Sequence, residues 1–132
     1  GVTVAVEAGI NHPIYNYQLA KRLIDEVASP NLKIILDCAN LMHKENHADQ
    51  EKVIRGALDN LHGYITALHL KDYIMENGKI RMVPVGKGCL DFRPVLHYIK
   101  YERPLMYATL EATPEIYVPE AIEHLQFIYQ DC

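Results

Sequence analysis

Four strand-like segments recur along the chain, and each ends in a residue that can bind a metal ion. The segments are nearly continuous in apolar residues, as expected of strands that are buried on both faces of a parallel sheet. The gaps between their last residues are 30, 32 and 42 residues. Each gap is long enough for a helix that returns the chain to the same end of the sheet. The predicted strands are Val2–Glu7, Leu32–Asp37, Tyr64–His69 and Leu105–Glu111.

Amphipathic segments between these strands predict four helices, and Glu76–Lys79 predicts a hairpin turn after the third strand. Asn16 and Asp49 stand where N-caps are expected for the first two helices. The predicted helices are Tyr17–Ala28, a segment capped by Asp49 and continuing through Leu61, Phe92–Tyr101, and Val118–Tyr129. This alternation indicates an α/β fold with a parallel sheet.

The unit length indicates which α/β fold this is. A (β/α)₈ TIM barrel of about 250 residues allots roughly 31 residues to each unit, and this chain supplies four units. We therefore predict a single domain over residues 1–132 of the (β/α)₈ type, forming the C-terminal half of a longer barrel. The alternative, a self-contained half-barrel, would expose two long sheet edges, which proteins rarely tolerate.

Composition excludes several classes of function. The formal net charge is −4, and the 13 Lys and Arg residues are scattered, so we expect neither a nucleic-acid partner nor an anionic membrane surface. Three widely spaced cysteines predict free thiols in a reducing cytoplasm. The chain has no long apolar run and no leader-like start, so we expect no membrane span and a cytoplasmic location.

The residues that end the strands predict a metal site. Because parallel strands end at the same edge of a sheet, the side chains of Glu7, Asp37, His69 and Glu111 should converge. Two glutamates, an aspartate and a histidine form a mixed oxygen and nitrogen ligand set for a divalent cation. One such glutamate alone would more simply be a solvent-exposed carboxylate, but four ligands at unit spacing favour the metal site.

Five segments together resemble the xylose isomerase-like (β/α)₈ superfamily, in particular its sugar phosphate isomerase/epimerase group. They are Val6-Glu7 with His12-Pro13, the stretch 35–41, His69-Leu70-Lys71-Asp72, the stretch 84–88, and Leu110-Glu111. Their order is similar to that of the second half of such a barrel. The resemblance implies that Glu7, Asp37, His69 and Glu111 bind one divalent ion, namely Mn²⁺, Mg²⁺ or Co²⁺, with Zn²⁺ as a further candidate.

The resemblance also implies an enzyme that acts on a small-molecule sugar or sugar phosphate. In such an isomerase or epimerase, Glu7 and Glu111 would remove and return a proton next to a carbonyl, through an enediolate that the metal stabilises. An inosose dehydratase-like or hydroxypyruvate isomerase-like enzyme remains open. So does a catalytically inactive half-barrel, or one that pairs with a second copy as a homo-oligomer.

Four further residues are candidates for substrate binding. His12 lies in the loop after the first strand, and Asn40 stands where many epimerases of this group have a histidine. Lys71 and Arg81 could bind a phosphate or hydroxyl group, although solvated surface charge is the simpler alternative for each. Asp72 could either accept a hydrogen bond from the second nitrogen of His69 or cap a loop.

Overall fold

A computed structural model describes residues 1–132 and contains six strands and four helices. The strands are β1 (Val4–Glu7), β2 (Leu32–Asp37), β3 (Ile65–Leu70), β4 (Asp72–Glu76), β5 (Lys79–Val83) and β6 (Tyr107–Leu110). The helices are α1 (Tyr17–Val27), α2 (Gln50–Leu61), α3 (Arg93–Tyr101) and α4 (Val118–Asp131). Three short 3₁₀ helices span Ala39–Leu41, His47–Asp49 and Glu115–Tyr117.

Four of the strands form one parallel sheet in the order β1-β2-β3-β6. One of the helices α1 to α4 follows each of these strands, with the β4–β5 hairpin inserted after β3. This arrangement confirms the predicted α/β fold of four strand–helix units of the TIM-barrel type. All four strands therefore point their C-terminal ends toward the same edge of the sheet.

Strand pairing explains where the strands differ from the prediction. β1 begins at Val4, because Val4 pairs with Leu32, the first residue of β2. β3 continues one residue past His69, because Leu70 pairs with Leu110 of β6. Glu111 therefore follows the last strand instead of closing it.

The first two helices begin where their sequence signals predict. The Oδ1 atom of Asn16 accepts a hydrogen bond from the Leu19 amide at 2.8 Å, so Asn16 is a true N-cap. Asp49 occupies the corresponding position before α2, but its side chain makes no capping hydrogen bond. The longest helix, α4, has 14 residues, and none of the helices is long and apolar enough to cross a bilayer.

The core lies between the sheet and the helices, while the edges of the sheet are open. Ile34 and Leu68 of the two central strands are buried in the same apolar cluster as Ile54 of α2. In contrast, Val4 on β1 is 57% exposed, and Tyr107 on β6 is 82% exposed. The central strands β2 and β3 are paired along both edges, and the outer strands β1 and β6 have one unpaired edge each.

The β4–β5 hairpin has the turn that its sequence predicts. Asn77 and Gly78 both have positive φ values, of 51° and 74°. Two successive residues of this kind are typical of the type I′ turn, whose twist matches that of a two-stranded ribbon. The hairpin leads into the loop 84–92, which returns to the start of β4 before α3 begins.

Candidate metal centre

Glu7, Asp37, His69 and Glu111 meet at the C-terminal edge of the sheet. One ligand atom from each of the four residues lies within 4.8 Å of the others. Asp37 and His69 are direct register partners on β2 and β3. Glu7 is the last residue of the outer strand β1, and Glu111 directly follows the outer strand β6. The two glutamates therefore flank the aspartate and the histidine.

Two atoms of this cluster are buried without a hydrogen bond of acceptable geometry. They are the Oδ2 atom of Asp37 and the Nδ1 atom of His69. The His69 Nδ1 atom lies 3.0 Å from Glu111 Oε1 and 3.3 Å from Glu7 Oε2. Buried polar atoms normally have a partner, and a carboxylate oxygen and an imidazole nitrogen are both metal-ligating atoms. The donor set therefore fits a cation.

Lys71 contacts two of the carboxylates from one side. Its Nζ atom lies 2.9 Å from Glu111 Oε2 and 3.0 Å from Asp37 Oδ2. The contact with Asp37 is close enough for an ion pair, although it lacks hydrogen-bond alignment. The Lys71 side chain is 12% exposed and that of Asp37 is fully buried, so solvent screens this interaction less than it would on the surface.

Asn40 contacts Glu7, Asp37 and Lys71. Its Nδ2 atom donates to Glu7 Oε1 at 2.6 Å, and its backbone amide donates to Asp37 Oδ1 at 3.1 Å. Its Oδ1 atom accepts a hydrogen bond from Lys71 Nζ at 3.3 Å. Asn40 and Lys71 thus form a connected pair outside the cluster.

The charges in the cluster favour a divalent cation. Three carboxylates lie beside a single ammonium group, that of Lys71, so two negative charges remain when His69 is neutral. Burial raises the pKa of Asp37, although Lys71 and the Asn40 amide partly oppose this effect. The hydrogen bond from Lys71 lowers the pKa of Glu111. A cation of charge two would neutralise the remaining carboxylate charge.

Burial and ion pairing act in opposite directions on Lys71. Burial alone lowers the pKa of its ammonium group, but the contacts with Glu111 and Asp37 outweigh burial, so the pKa is raised above its usual value. Lys71 is therefore a positive charge at neutral pH, and it compensates part of the carboxylate charge.

The other predicted site residues lie at different distances from the cluster. His12 is exposed in the loop after β1, and its Nδ1 atom is 3.1 Å from the backbone oxygen of Glu7. Arg81 lies on β5, where its Nε atom forms an ion pair with Glu76 at 2.8 Å. The structure therefore brings His12, Asn40 and Lys71 to the cluster or its border, and it pairs Arg81 within the hairpin. A substrate-binding role for Arg81 stays a prediction.

The hydrogen bonds of Asp72 decide between its two predicted roles, a partner of His69 and a residue that caps a loop. Its carboxylate is 1% exposed and accepts hydrogen bonds from four backbone amides, none of which belongs to the metal cluster. The donors are Tyr73 (2.8 Å), Gly86 (3.0 Å), Gly88 (2.9 Å) and Leu90 (3.0 Å). Asp72 therefore organises the loop after the hairpin and is not a partner of His69.

Thr113 is a residue near the site that the sequence did not single out. Its hydroxyl group donates to the backbone oxygen of Glu111 at 3.2 Å and accepts from the Val85 amide at 3.1 Å. The hydroxyl thus links the loop that Asp72 holds to the end of β6. One sequence signal could have indicated this role, namely a threonine two residues after the predicted ligand Glu111. Threonine side chains commonly form hydrogen bonds with the nearby backbone.

Cys38 does not take part in the cluster. It is 3% exposed in the core, and burial raises the pKa of its thiol. This agrees with the alternation of side chains along a strand, which directs Cys38 away from the face that Asp37 uses. A buried, protonated thiol is neither a good ligand nor a good nucleophile.

None of the four cluster residues lines a cavity of about 720 Å³ between the segments that follow β1 and β2. Its wall comes from the loop after β1, the start of α1 and the segment between β2 and α2, including Tyr15, Tyr17 and His43. The candidate functional site is therefore the cluster of converging carboxylates and not this cavity.

Comparison with known proteins shows the family of this chain. The profile of the xylose isomerase-like TIM barrel family matches residues 1–128. No curated protein matches the chain by sequence. The fold is similar to that of a xylose isomerase domain protein from Planctomyces limnophilus, with 19% identity and a TM-score of 0.72; the match covers 98% of this chain and 47% of that one.

Two further solved structures are similar. A probable 3-DHS dehydratase, AsbF, from Bacillus anthracis has 18% identity and a TM-score of 0.69 over 96% of this chain and 48% of its own. A xylose isomerase-like TIM barrel protein from Mycobacterium smegmatis, in complex with magnesium, has 13% identity and a TM-score of 0.70 over 98% and 45%.

The similar solved structures establish the fold, and the family profile establishes the family to which the chain belongs. The chain spans about half the length of the solved structures it matches. Its parallel sheet, its four strand–helix units and the profile match over nearly all residues agree with one another. The chain belongs to the xylose isomerase-like TIM barrel family.

Proposed function

We propose that this chain carries the metal centre of a divalent-metal-dependent sugar or sugar-phosphate isomerase or epimerase. The observation that carries the proposal is the convergence of Glu7, Asp37, His69 and Glu111, with Asp37 Oδ2 and His69 Nδ1 buried and lacking hydrogen bonds. The magnesium complex of the similar Mycobacterium smegmatis protein supports it. Mn²⁺, Mg²⁺ and Co²⁺ suit this ligand set, and Zn²⁺ is a further candidate.

The arrangement of the two glutamates supports a two-base reaction. Glu7 and Glu111 come from the outer strands and flank the centre, and their side chains are 22% and 38% exposed. A substrate at the mouth would thus have a carboxylate on each side. One glutamate removes a proton from the carbon next to the carbonyl, and the other returns it to the opposite face or to the neighbouring carbon.

The surrounding residues prepare these carboxylates for proton transfer. Lys71 lowers the pKa of Glu111, so this carboxylate is ionised at neutral pH, the form that both a metal ligand and a proton acceptor require. Asn40 holds one oxygen of Glu7 at 2.6 Å, so that the other oxygen keeps a fixed direction. A bound divalent cation supplies the Lewis acidity that polarises the carbonyl and makes the neighbouring C–H bond acidic.

A dehydratase is the second candidate function. The similar structure from Bacillus anthracis is a probable 3-DHS dehydratase. Proton removal next to a carbonyl is the first step that both reactions share. A dehydratase would then expel a hydroxyl group from the adjacent carbon, whereas an epimerase or isomerase returns the proton.

The test is activity of the protein at its full natural length against a panel of sugars and sugar phosphates. We expect metal-depleted protein to be inactive and to regain turnover with Mn²⁺, Mg²⁺ or Co²⁺. Glu111→Gln should lower turnover by about 10²- to 10⁴-fold, the usual contribution of a general base. Glu115→Gln is the matched control, because Glu115 is exposed four residues further on and should leave turnover unchanged.

Robust isomerase or epimerase activity in excess chelator would contradict the proposal. Loss of water from the same substrates, without epimer or isomer formation, would favour the dehydratase. Chromatographic separation of the products distinguishes these outcomes.

A further inference from the structure

We infer that Asn40 and Lys71 are positioning residues that restrict Glu7 and Glu111 to binding a cation through one oxygen each. By doing so they favour a six-coordinate cation over a larger one such as Ca²⁺, and they leave two coordination positions for the substrate. The inference rests on the proposed metal centre and adds a specificity function to two residues outside it.

The two oxygens of Glu7 have different partners. Oε1 accepts the hydrogen bond from Asn40 Nδ2 at 2.6 Å. Oε2 faces the centre, 3.3 Å from His69 Nδ1. Only one oxygen of this carboxylate is therefore directed at the site that a cation would take.

Glu111 is divided in the same way, with Lys71 as the outer partner. Its Oε2 atom lies 2.9 Å from Lys71 Nζ, while its Oε1 atom lies 3.0 Å from His69 Nδ1. In Asp37, the Asn40 amide holds Oδ1 at 3.1 Å, and Oδ2 is the buried atom without a hydrogen bond. Glu7 and Glu111 thus each have one oxygen held by the outer pair and one that faces the centre. Asp37 differs, because Asn40 contacts its Oδ1 atom and Lys71 Nζ lies 3.0 Å from its Oδ2 atom.

The two outer residues are themselves held in place. Three side-chain oxygens lie within 3.3 Å of Lys71 Nζ; they belong to Asp37, Glu111 and Asn40. These contacts direct the ammonium at the cluster and support an action on the ligands. A role of Lys71 in substrate binding stays a prediction.

The number of ligands links this arrangement to metal choice. One oxygen from each of three carboxylates and one nitrogen from His69 make four protein ligands. Mg²⁺ and related ions take six ligands at about 2.1 Å, so roughly two positions remain for neighbouring oxygens of a substrate. Ca²⁺ takes up to about eight ligands and often binds carboxylates through both oxygens, which the hydrogen bonds of Asn40 and Lys71 oppose.

The experiment compares Mn²⁺ and Ca²⁺ binding in Asn40→Ala, Lys71→Met and the unmodified protein. Competition calorimetry with MnCl₂ and CaCl₂ gives the ratio of the two dissociation constants. Water-proton relaxation of the Mn²⁺ complex gives the number of metal-bound waters. The ratio is the decisive quantity, because removal of the Lys71 charge strengthens binding of both ions alike.

We expect the ratio to shift toward Ca²⁺ by about 10-fold or more in each variant, which is the scale of effects of outer-shell partners. The number of waters on Mn²⁺ should fall from two as the carboxylates become free to bind through both oxygens. Lys52→Met is the control for charge, because Lys52 is exposed on α2, and it should leave both the ratio and the water count unchanged.

The outcomes separate this inference from the proposed function. If the unmodified protein binds neither ion, the metal centre itself is overturned. If it binds Mn²⁺, but both variants keep the same ratio and the same water count, the positioning role is overturned and the metal centre stands. If Lys71→Met fails to fold by circular dichroism, Asn40→Ala decides, because it removes only a neutral side chain and retains the backbone amide.

Discussion

Two aspartates are buried to the same degree, and their surroundings differ sharply. Asp37 and Asp72 are each 1% exposed. Asp72 accepts four hydrogen bonds from backbone amides, two on each oxygen. Asp37 accepts one, and its second oxygen has only the unaligned ammonium of Lys71 nearby.

The number of hydrogen bonds that a buried carboxylate accepts thus separates a structural aspartate from a candidate metal ligand. Amide dipoles can replace the lost hydration of a buried anion and fix it in place. Asp72 is stabilised in this way, and it holds a loop. Asp37 keeps an oxygen without such a bond, and burial raises its pKa, so a cation would stabilise it strongly. Two equally buried aspartates thus have different surroundings, and only those of Asp37 suit a cation.

The largest expected effect is on metal binding when Asp37 changes. Asp37→Asn should weaken Mn²⁺ binding by more than about 100-fold, because outer-shell changes alone reach about 10- to 100-fold and this change removes a ligand. The metal-free protein should lose little stability, since a neutral amide is less costly to bury than a carboxylate. Titration calorimetry and urea unfolding in chelator measure the two quantities.

One pattern of results would contradict a metal-binding role for Asp37. If Asp37→Asn destabilised the metal-free protein by several kcal/mol and left Mn²⁺ affinity intact, Asp37 would be a structural residue like Asp72.

Asp72→Asn should give the reverse result. The amide group of Asn can accept bonds through one oxygen only, and its NH₂ group would face backbone N–H donors. Hydrogen bonds to charged groups contribute about 1.5–3 kcal/mol each, so we expect the free energy of unfolding to fall by about 3 kcal/mol. Mn²⁺ affinity should change less than about 10-fold, because none of the four amides contacts the cluster.

Urea unfolding compares this variant with Asp59→Asn, a control on the exposed face of α2 that should change stability by less than about 0.5 kcal/mol. A loss of Mn²⁺ affinity as large as that of Asp37→Asn would remove the distinction between the two aspartates.

The strand–helix pattern predicted the fold and the convergence of ligands because both depend on local signals. The N-cap at Asn16 and the turn at Asn77-Gly78 lie within a few residues of the structure they specify. The ends of parallel strands meet wherever the helices lie. The positions of Glu7, Asp37, His69 and Glu111 could therefore be predicted without a detailed structure.

The contacts around these ligands could not be predicted, because they depend on loops that return from far along the chain. Asp72 and Gly88 are 16 residues apart, and only the folded loop shows that the carboxylate accepts its amide. Arg81, in contrast, makes a contact within its own hairpin. The register of the hairpin places it diagonally from Glu76 on one face, so an ion pair forms locally.

The smallest expected effect is on the loop that Asp72 holds, and Gly88 tests it. A Cβ atom at Gly88 would overlap Asp72 Oδ1 and the backbone oxygen of Tyr73, so Gly88→Ala should destabilise the protein by about 2 kcal/mol, the usual scale for overpacking. Gly63→Ala is the contrast, because Gly63 has open space around it but a φ of 84°. Its cost comes from backbone strain alone.

Combination with Asp72→Asn identifies the cause of the Gly88 effect. If the alanine acts by displacing the Asp72 carboxylate, the two substitutions disturb one contact, and their costs should not add. We expect the double variant to be more stable than the sum of the single effects predicts, by about 1 kcal/mol or more, as is typical of residues in contact. The pair Gly63→Ala and Asp72→Asn should be additive, because the two sites share no contact in the structure. Additivity in both pairs, measured by urea unfolding, would mean that Gly88 and Asp72 act independently, and the loop would then not depend on the carboxylate.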